Sequence, residues 1–390
     1  MERIFISVLA VAMAISAAPL FFDLALCMAG NLCRPRRPKT RVRAGIHLAV
    51  VIPAHDEEGM IARTVRSIHA SDAATDIYVV AHNCIDATAK EASEAGAHVV
   101  ELSNRKLRGK SAALRHGFAA ALTAGANAIL VVDADSLVST NLIASTRALL
   151  QQGADAAQCR YELEVPAAGH PLARLRALAF RGMNVLRPRG RAGLGLSTGV
   201  FGNGFAITAE TLARVPFSVN SIAEDVEYHT LLVESGITVF WNEEAFVHAH
   251  SPASAKAQAT QEARWEGGRF RVGSRATGQL LLALLRGRLR AFETLADVWS
   301  LPLSRGILAL VLMAFVSVHW LHMFALVCAG IALLYVIQAA LLGNDPWRDF
   351  AALAAAPIYV AWKALITPLV LLQSRSRAEW ARTKREAPQP

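Results

Sequence analysis

The chain has 390 residues, of which 54% are hydrophobic and 18% charged, and its formal net charge is +9. That length holds one large domain or two ordinary ones, and the apolar content exceeds that of an ordinary soluble domain, with the excess at the two ends. Its five cysteines, Cys27, Cys33, Cys84, Cys159 and Cys328, include no CxxC pair, which speaks against a disulfide framework or a zinc site and fits a reducing compartment. The basic residues cluster beside apolar segments, so anionic lipid headgroups are a simpler partner than nucleic acid.

From Ile4 to Phe22 the chain carries no charge and is long enough to cross a bilayer. A cleaved signal peptide is the rival reading, with small residues at Ser16-Ala17-Ala18. The lone Arg3 before the run, and the run's length, favour a retained anchor over 1–30. The basic stretch RPRRPKTRVR dominates 31–45 and, by the positive-inside rule, holds the next segment in the cytoplasm.

From 46 to 270 short apolar runs alternate with helical patterns. HLAVVIP, DIYVVA, AHVVEL and AILVVD read as strands of a mostly parallel sheet buried on both faces, with EEGMIARTVRSI, DATAKEASEAG and GKSAALRHGFAAALTAG as the helices between them. That order predicts a doubly wound α/β sheet with ligands at the carboxyl ends of the strands. Neither GxGxxG nor GxxxxGK[ST] occurs in the expected place, so dinucleotide and P-loop readings lose support.

Polar residues stand at those strand ends: PAHDEE (53–58) after the first, HNCIDAT (82–88) after the second and DADS (133–136) after the fourth. Asp133 and Asp135, two apart, would share a face of an extended segment, and together they suit one hard cation that in turn holds a diphosphate. Arg105, Lys106, Arg108 and Lys110 precede the third helix, where cations and a helix N-terminus make an anion site. STGVFGNGFAIT (197–208) reads as a strand pair or bulge around Gly202-Asn203-Gly204, open to a close backbone approach. Glu224 and Asp225 open another helical pattern; they are either acids favoured by the helix dipole or a general base within reach of a hydroxyl. In QEARWEGGR, Gln261 and Trp265 share a helix face with Arg264 beside them, which suits either an interfacial anchor or a binding patch.

Segment 271–302 is expected to form interfacial helices, and 303–373 the C-terminal membrane segments. The uncharged stretch Gly306 to Gly343 is too long for one span and predicts two, with the turn at His319-Trp320-Leu321-His322. The run Ala351 to Leu372 holds Pro357, Lys363 and Pro368 and precedes the basic tail 374–390; a crossing there would put that tail outside. An interfacial or re-entrant helix is therefore expected.

With these residues in order, the chain resembles the family 2 glycosyltransferases, in particular the membrane-embedded QxxRW group of cellulose, chitin-oligosaccharide and hyaluronan synthases. VVIPAHDEE resembles the first nucleotide-binding strand, Asp86 the acid after the second strand, Asp133-x-Asp135 the metal-binding DxD, Glu224-Asp225 the catalytic ED, and Gln261, Arg264 and Trp265 the QxxRW motif. The resemblance implies a glycosyltransferase A-type α/β fold flanked by N- and C-terminal transmembrane helices. It implies donor binding by Pro53, Ala54, Glu57, Asp86, Lys110, Asp133 and Asp135, with Mg²⁺ or Mn²⁺ at Asp135 and Asp133. Asp225, with Glu224, would be catalytic. Gln261, Arg264 and Trp265, with Gly202, Asn203 and Gly204, would meet the acceptor and diphosphate.

Two positions depart from the pattern: His82 stands where many relatives carry an acid that contacts the base, and Ala223 where threonine is frequent. The expected reaction is inverting transfer from a nucleotide-diphosphate sugar, a UDP-sugar first, to a polysaccharide or oligosaccharide at the cytosolic face of a bacterial-type inner membrane. No cyclic-dinucleotide regulatory module is expected. A non-processive transferase acting on ceramide or polyprenyl phosphate is the near alternative, and a catalytically silent subunit that binds sugar nucleotide or polymer is the distant one.

Overall fold

A computed structural model describes residues 2–38, 42–104, 106–107, 109–164, 171–221, 223–249, 255–288 and 290–375. Arg105 and Arg108 of the basic loop, and most of the basic tail, lie outside the described residues.

The chain opens with α1 (Glu2–Gly30) and enters the sheet domain through β1 (Leu48–Ala54), α2 (Ile61–Ser71), β2 (Ile77–His82), α3 (Thr88–Glu94), β3 (His98–Leu102), α4 (Lys110–Thr123) and β4 (Ala128–Val131). These four strands pair in parallel in the order β3-β2-β1-β4. The apolar runs are continuous because both faces are covered. In β1, Leu48, Val50 and Ile52 enter a core with Ile61, Val65 and Ile68 of α2, while Ala49 and Val51 enter the opposite core with Leu114 and Phe118 of α4.

The other half of the sheet comprises β5 (Ser136–Val138), α5 (Leu142–Gln151), β6 (Ala156–Leu163), α6 (Pro171–Arg181), a π-helical turn (Gly182–Leu186), α7 (Arg187–Leu194), β7 (Phe205–Thr208), α8 (Ala209–Arg214), α9 (Glu224–Glu234) and β8 (Val239–Ala249). β7 inserts antiparallel between β4 and β6, and the eight strands run β3-β2-β1-β4-β7-β6-β8-β5. The segment 197–208 therefore supplies one strand rather than a strand pair. The residues before it form a turn in which Gly202 and Gly204 take φ of 71° and 69°, a backbone region that glycine enters without steric cost.

α10 (Ala255–Leu285) runs unbroken past residue 270, so no element boundary separates the sheet domain from the C-terminal helices. Next come α11 (Arg290–Trp299), α12 (Leu303–Met313), α13 (His319–Leu341), α14 (Pro346–Ala352), a 3₁₀ turn (Leu353–Ala355), α15 (Ala356–Leu365) and α16 (Thr367–Arg375). Among the described residues, two helices are long and apolar enough to cross a membrane, Ile4–Gly30 and His319–Leu341.

The expected turn at 319–322 is instead the first turn of α13. The break falls before it, where Val318 is extended at φ −133° and ψ 110° and precedes the helix. α12, with 11 residues, is too short to span alone and meets α11 at a 71° bend. The run 351–372 is divided as its prolines dictate: Pro357 and Pro368 each lie in the first turn of a new helix, where the missing N–H breaks no bond.

The N-terminal helix is fastened to the rest. Gly190 of α7 lies so close to α1 that a Cβ there would collide with the Cys27 carbonyl. Around this crossing is a buried ionic knot. Asp23 of α1 accepts from Arg191 at 2.7 Å and contacts Arg187; both arginines reach Asp297 of α11 at 2.9 Å, and Arg191 also holds Glu293 at 2.6 Å.

Candidate active site

The carboxyl ends of β1 and β4, the start of α4, the turn before β7, the start of α9 and one face of α10 converge on a single cavity. Its wall includes Pro53, Glu57, Lys110, Asp133, Asp135, Gly202, Glu224, Asp225, Gln261, Arg264 and Trp265. Ala54, Asp86, Asn203 and Gly204 stand outside the wall.

Lys110, first residue of α4, donates from Nζ to Asp133 Oδ1 at 2.5 Å and to the Gly202 carbonyl at 2.7 Å. Burial pulls its ammonium down, but Asp133, Glu224 and Asp225 outweigh burial and hold it above the usual lysine range. Asp135 is 7% exposed and borders the cavity. Asp133 and Asp135 offer carboxylate oxygens two residues apart in sequence, and such hard donors fit Mg²⁺ or Mn²⁺.

Asn203 explains how the acids are held. Its Oδ1 accepts from the Asp133 N–H at 3.1 Å, its Nδ2 donates to Ser136 Oγ at 2.9 Å, and its carbonyl accepts from Gln158 Nε2 at 2.8 Å. The Gly204 N–H donates to the Val131 carbonyl at 2.8 Å. These two residues brace the end of β4 from behind, whereas Gly202 alone of the three presents its backbone to the cavity.

Asp86 also works from behind. It accepts from the Glu58 N–H at 3.1 Å, the Thr88 N–H at 3.0 Å and the Thr88 hydroxyl at 2.5 Å. Asp56 accepts from the Ile85 N–H at 2.8 Å. The cluster Asp56, Cys84 and Asp86 thus knits the loops after β1 and β2 together and positions Glu57. His82, buried at 1% exposure, meets the Leu107 carbonyl at 2.8 Å through Nε2, and its own carbonyl meets His55 Nδ1 at 2.7 Å. Burial lowers its pKa, so the ring is neutral near pH 7.

Glu224 and Asp225 start α9 facing the cations. Glu224 is 8% exposed, and burial pushes its carboxyl up to about 7 against the pull of Lys110, with Asp225 adding to the rise. Asp225 accepts from the Val226 N–H at 2.8 Å. The low-dielectric surroundings raise it above the usual aspartate range, against Val226, Lys110 and Arg269. A carboxylate so raised is a better proton acceptor than an aspartate in water.

On α10, Gln261 Oε1 accepts from Arg176 Nη2 at 2.9 Å, and Arg176 also meets Glu262 at 3.2 Å. Burial lowers the Arg264 pKa, opposed by Glu224. Trp265 is 40% exposed, with its ring 6.3 Å from that of Phe180, which packs edge-on against Tyr161 at 4.9 Å. Phe180, Tyr161, Arg176, Arg269 and His55 all border the cavity, yet none was singled out from the sequence. His55 and Arg269 lay inside the quoted stretches PAHDEE and QEARWEGGR, and a four-residue spacing puts Arg176 and Phe180 on one helix face.

The family described as glycosyltransferase like family 2 matches residues 45–268. Among solved structures, the mannosyltransferase PcManGT from Pyrobaculum calidifontis, in complex with GDP-Man and Mn²⁺, is similar at TM-score 0.53 and 16% identity; the match covers 93% of this chain and 96% of that one. Glucosyl-3-phosphoglycerate synthase from Mycobacterium tuberculosis, with Mn²⁺, UDP-glucose and phosphoglyceric acid, is similar at TM-score 0.39 and 20% identity, over 60% of this chain and 84% of that one. No protein of curated function matches the chain. The mixed, largely parallel sheet is of the glycosyltransferase A type.

Proposed function

This chain belongs to the glycosyltransferase-like family 2, and on that premise we propose that it is an inverting hexosyltransferase. It moves a sugar from a nucleotide-diphosphate sugar to an acceptor hydroxyl at the cytosolic face of a bacterial-type inner membrane. The observation that carries this reading is the convergence of Lys110, Asp133, Asp135, Glu224, Asp225 and Trp265 on one cavity.

Pro53 and Glu57 flank the nucleotide, on a loop that Asp86 holds in place. Lys110 and the planar fork of Arg264 take the diphosphate. Asp135, with Asp133, would hold Mg²⁺ or Mn²⁺, which neutralises charge on the leaving diphosphate. The acceptor sugar lays its C–H face on Trp265, in the QxxRW arrangement of polysaccharide synthases. Asp225 removes the acceptor's hydroxyl proton as that oxygen bonds to the anomeric carbon from the side opposite the diphosphate. The carbon–phosphate oxygen bond breaks, and the nucleoside diphosphate leaves with the electron pair. Glu224, its carboxyl pushed up to about 7 by burial, is only partly ionised at neutrality, which lessens the negative charge beside the base.

A UDP-sugar is the first donor to try, and GDP-mannose the second, since the Pyrobaculum protein was solved with GDP-Man. The test is a screen of UDP- and GDP-sugars against the full chain in isolated native membranes, reading nucleoside diphosphate release. Release with one donor class supports the reading. No release with any donor would favour a silent binding subunit.

A further inference from the structure

His229 follows Asp225 by one turn of α9, so the two side chains share a helix face, and both border the cavity. The histidine is 3% exposed. Its Nε2 lies 2.9 Å from the Ser197 hydroxyl oxygen, which accepts the Val239 N–H at 3.1 Å. The hydroxyl proton then has His229 Nε2 as its acceptor, since the opposite arrangement buries that proton without a partner. This network assigns the ring proton to Nδ1. Burial pushes the imidazole down to about 4, against the pull of Asp297, so the ring is neutral at pH 7.

Among the described residues Nδ1 makes no hydrogen bond, and it keeps access to the cavity. A histidine that only tied α9 to Ser197 would have its second nitrogen paired or sealed off. Here a neutral N–H is left for whatever enters the cavity. Its surroundings say which side of the site it serves. Arg269 acts on the charge of both Asp225 and His229, whereas the Lys110 ammonium acts on Asp225 and not on His229. The histidine therefore stands beyond the base, on the side away from the diphosphate cations.

We infer that His229 is an acceptor-binding residue: with the nucleophilic hydroxyl at Asp225, a second oxygen of the acceptor takes a hydrogen bond from Nδ1. This rests on the transferase reading and narrows the acceptor to a polyhydroxyl group. Side chains one helical turn apart start roughly 5–6 Å from each other. Adjacent hydroxyls of one sugar ring are closer than that, so the second oxygen lies across the ring or on the next sugar. A monohydric alcohol has no such oxygen to offer.

The test exchanges the imidazole for the two amides. Asn carries its amide group where Nδ1 stands, and Gln carries it where Nε2 stands. His229→Gln therefore keeps a partner for Ser197 and removes the donor to the cavity, while His229→Asn does the reverse. The detergent-purified full chain, given a radiolabelled UDP- or GDP-sugar that it cleaves, is titrated with boiled lysate of the native cell as the acceptor source. His229→Gln is expected to melt near wild type but to need about tenfold more lysate for half-maximal incorporation, the loss lying in KM more than in kcat. His229→Asn is expected to melt lower and to titrate within about twofold of wild type.

The opposite pattern would overturn the assignment: His229→Gln titrating as wild type, and His229→Asn losing activity in step with folded protein. Should His229→Gln yield too little folded protein, Ser197→Ala replaces it. Without that hydroxyl the ring proton is free to move to Nε2, and the titration should shift by about threefold; no shift would overturn the assignment. Wild-type protein that releases nucleoside diphosphate from no donor would sink the transferase reading itself, and the assignment with it.

Discussion

Replacing Glu224 by glutamine should make the protein more stable at pH 8. The carboxyl ordinarily titrates at 4.5 and is pushed up to about 7 in the folded chain, chiefly by burial. An unfolded chain loses this proton near 4.5, whereas the folded chain keeps it to about 7. Between those values the folded state binds more protons. The stability present below pH 4.5 therefore falls as pH rises to 7 and is flat above. The interval corresponds to about 3 kcal/mol. Gln resembles the protonated acid in shape and has no proton to lose, so Glu224→Gln lacks the decline.

At pH 4.5 the two proteins should unfold together. At pH 8 the variant should melt about 4 °C higher for a chain of 390 residues. The assay is thermal unfolding of the detergent-purified full chain across pH 4.5–8, without nucleotide or divalent ions. A variant that tracks the wild type at every pH, or melts lower at pH 8, would refute the assignment of a strained, buried acid.

Asp135→Asn should abolish nearly all nucleoside diphosphate release, and a chelator should do the same to the wild type; full activity in the chelator would remove Asp133 and Asp135 from metal binding. Trp265→Ala should lower kcat/KM for the acceptor about tenfold with donor affinity unchanged, and Trp265→Phe should recover part of it. If Trp265 only anchors α10, the alanine variant would instead lose folded protein. Asp23→Asn leaves the buried Arg187 and Arg191 short of a partner and should cost about 3–5 kcal/mol, read as a lower melting temperature with the membrane-bound fraction unchanged.

The parallel half of the sheet was legible because β1, β2 and β4 are buried on every residue, which writes them into the sequence as unbroken apolar runs. The acids at the strand ends were legible for a related reason: charge right after such a run has few structural uses. The antiparallel insertion of β7 was not, since only a four-residue strand marks it and its pairing depends on partners distant in sequence. His319, Trp320 and His322 looked like a turn by polarity. The chain turns instead at the extended Val318, which periodicity does not flag.

Within the site, motif spacing found the residues that face the cavity together with those that brace it. It had no means of separating the two. Asp86, Asn203 and Gly204 carry the same kinds of side chain as ligand-binding residues, and only their hydrogen bonds show that they hold loops. The ionic knot of Asp23, Arg187, Arg191, Glu293 and Asp297 was invisible for the opposite reason. Its members lie on three helices far apart in sequence, and each reads alone as a surface charge.

The central claim is that Asp225 is the base of a sugar transfer in this cavity, and Asp225→Asn tests it most directly. Donor affinity and single-turnover transfer are measured on the same preparation of full-length protein. The account predicts donor binding within about twofold of wild type and transfer reduced by about 10²–10⁴-fold. In the wild type, transfer should rise with pH through a value above the usual aspartate range, since the base must be ionised. Transfer by Asp225→Asn at the wild-type rate would contradict it.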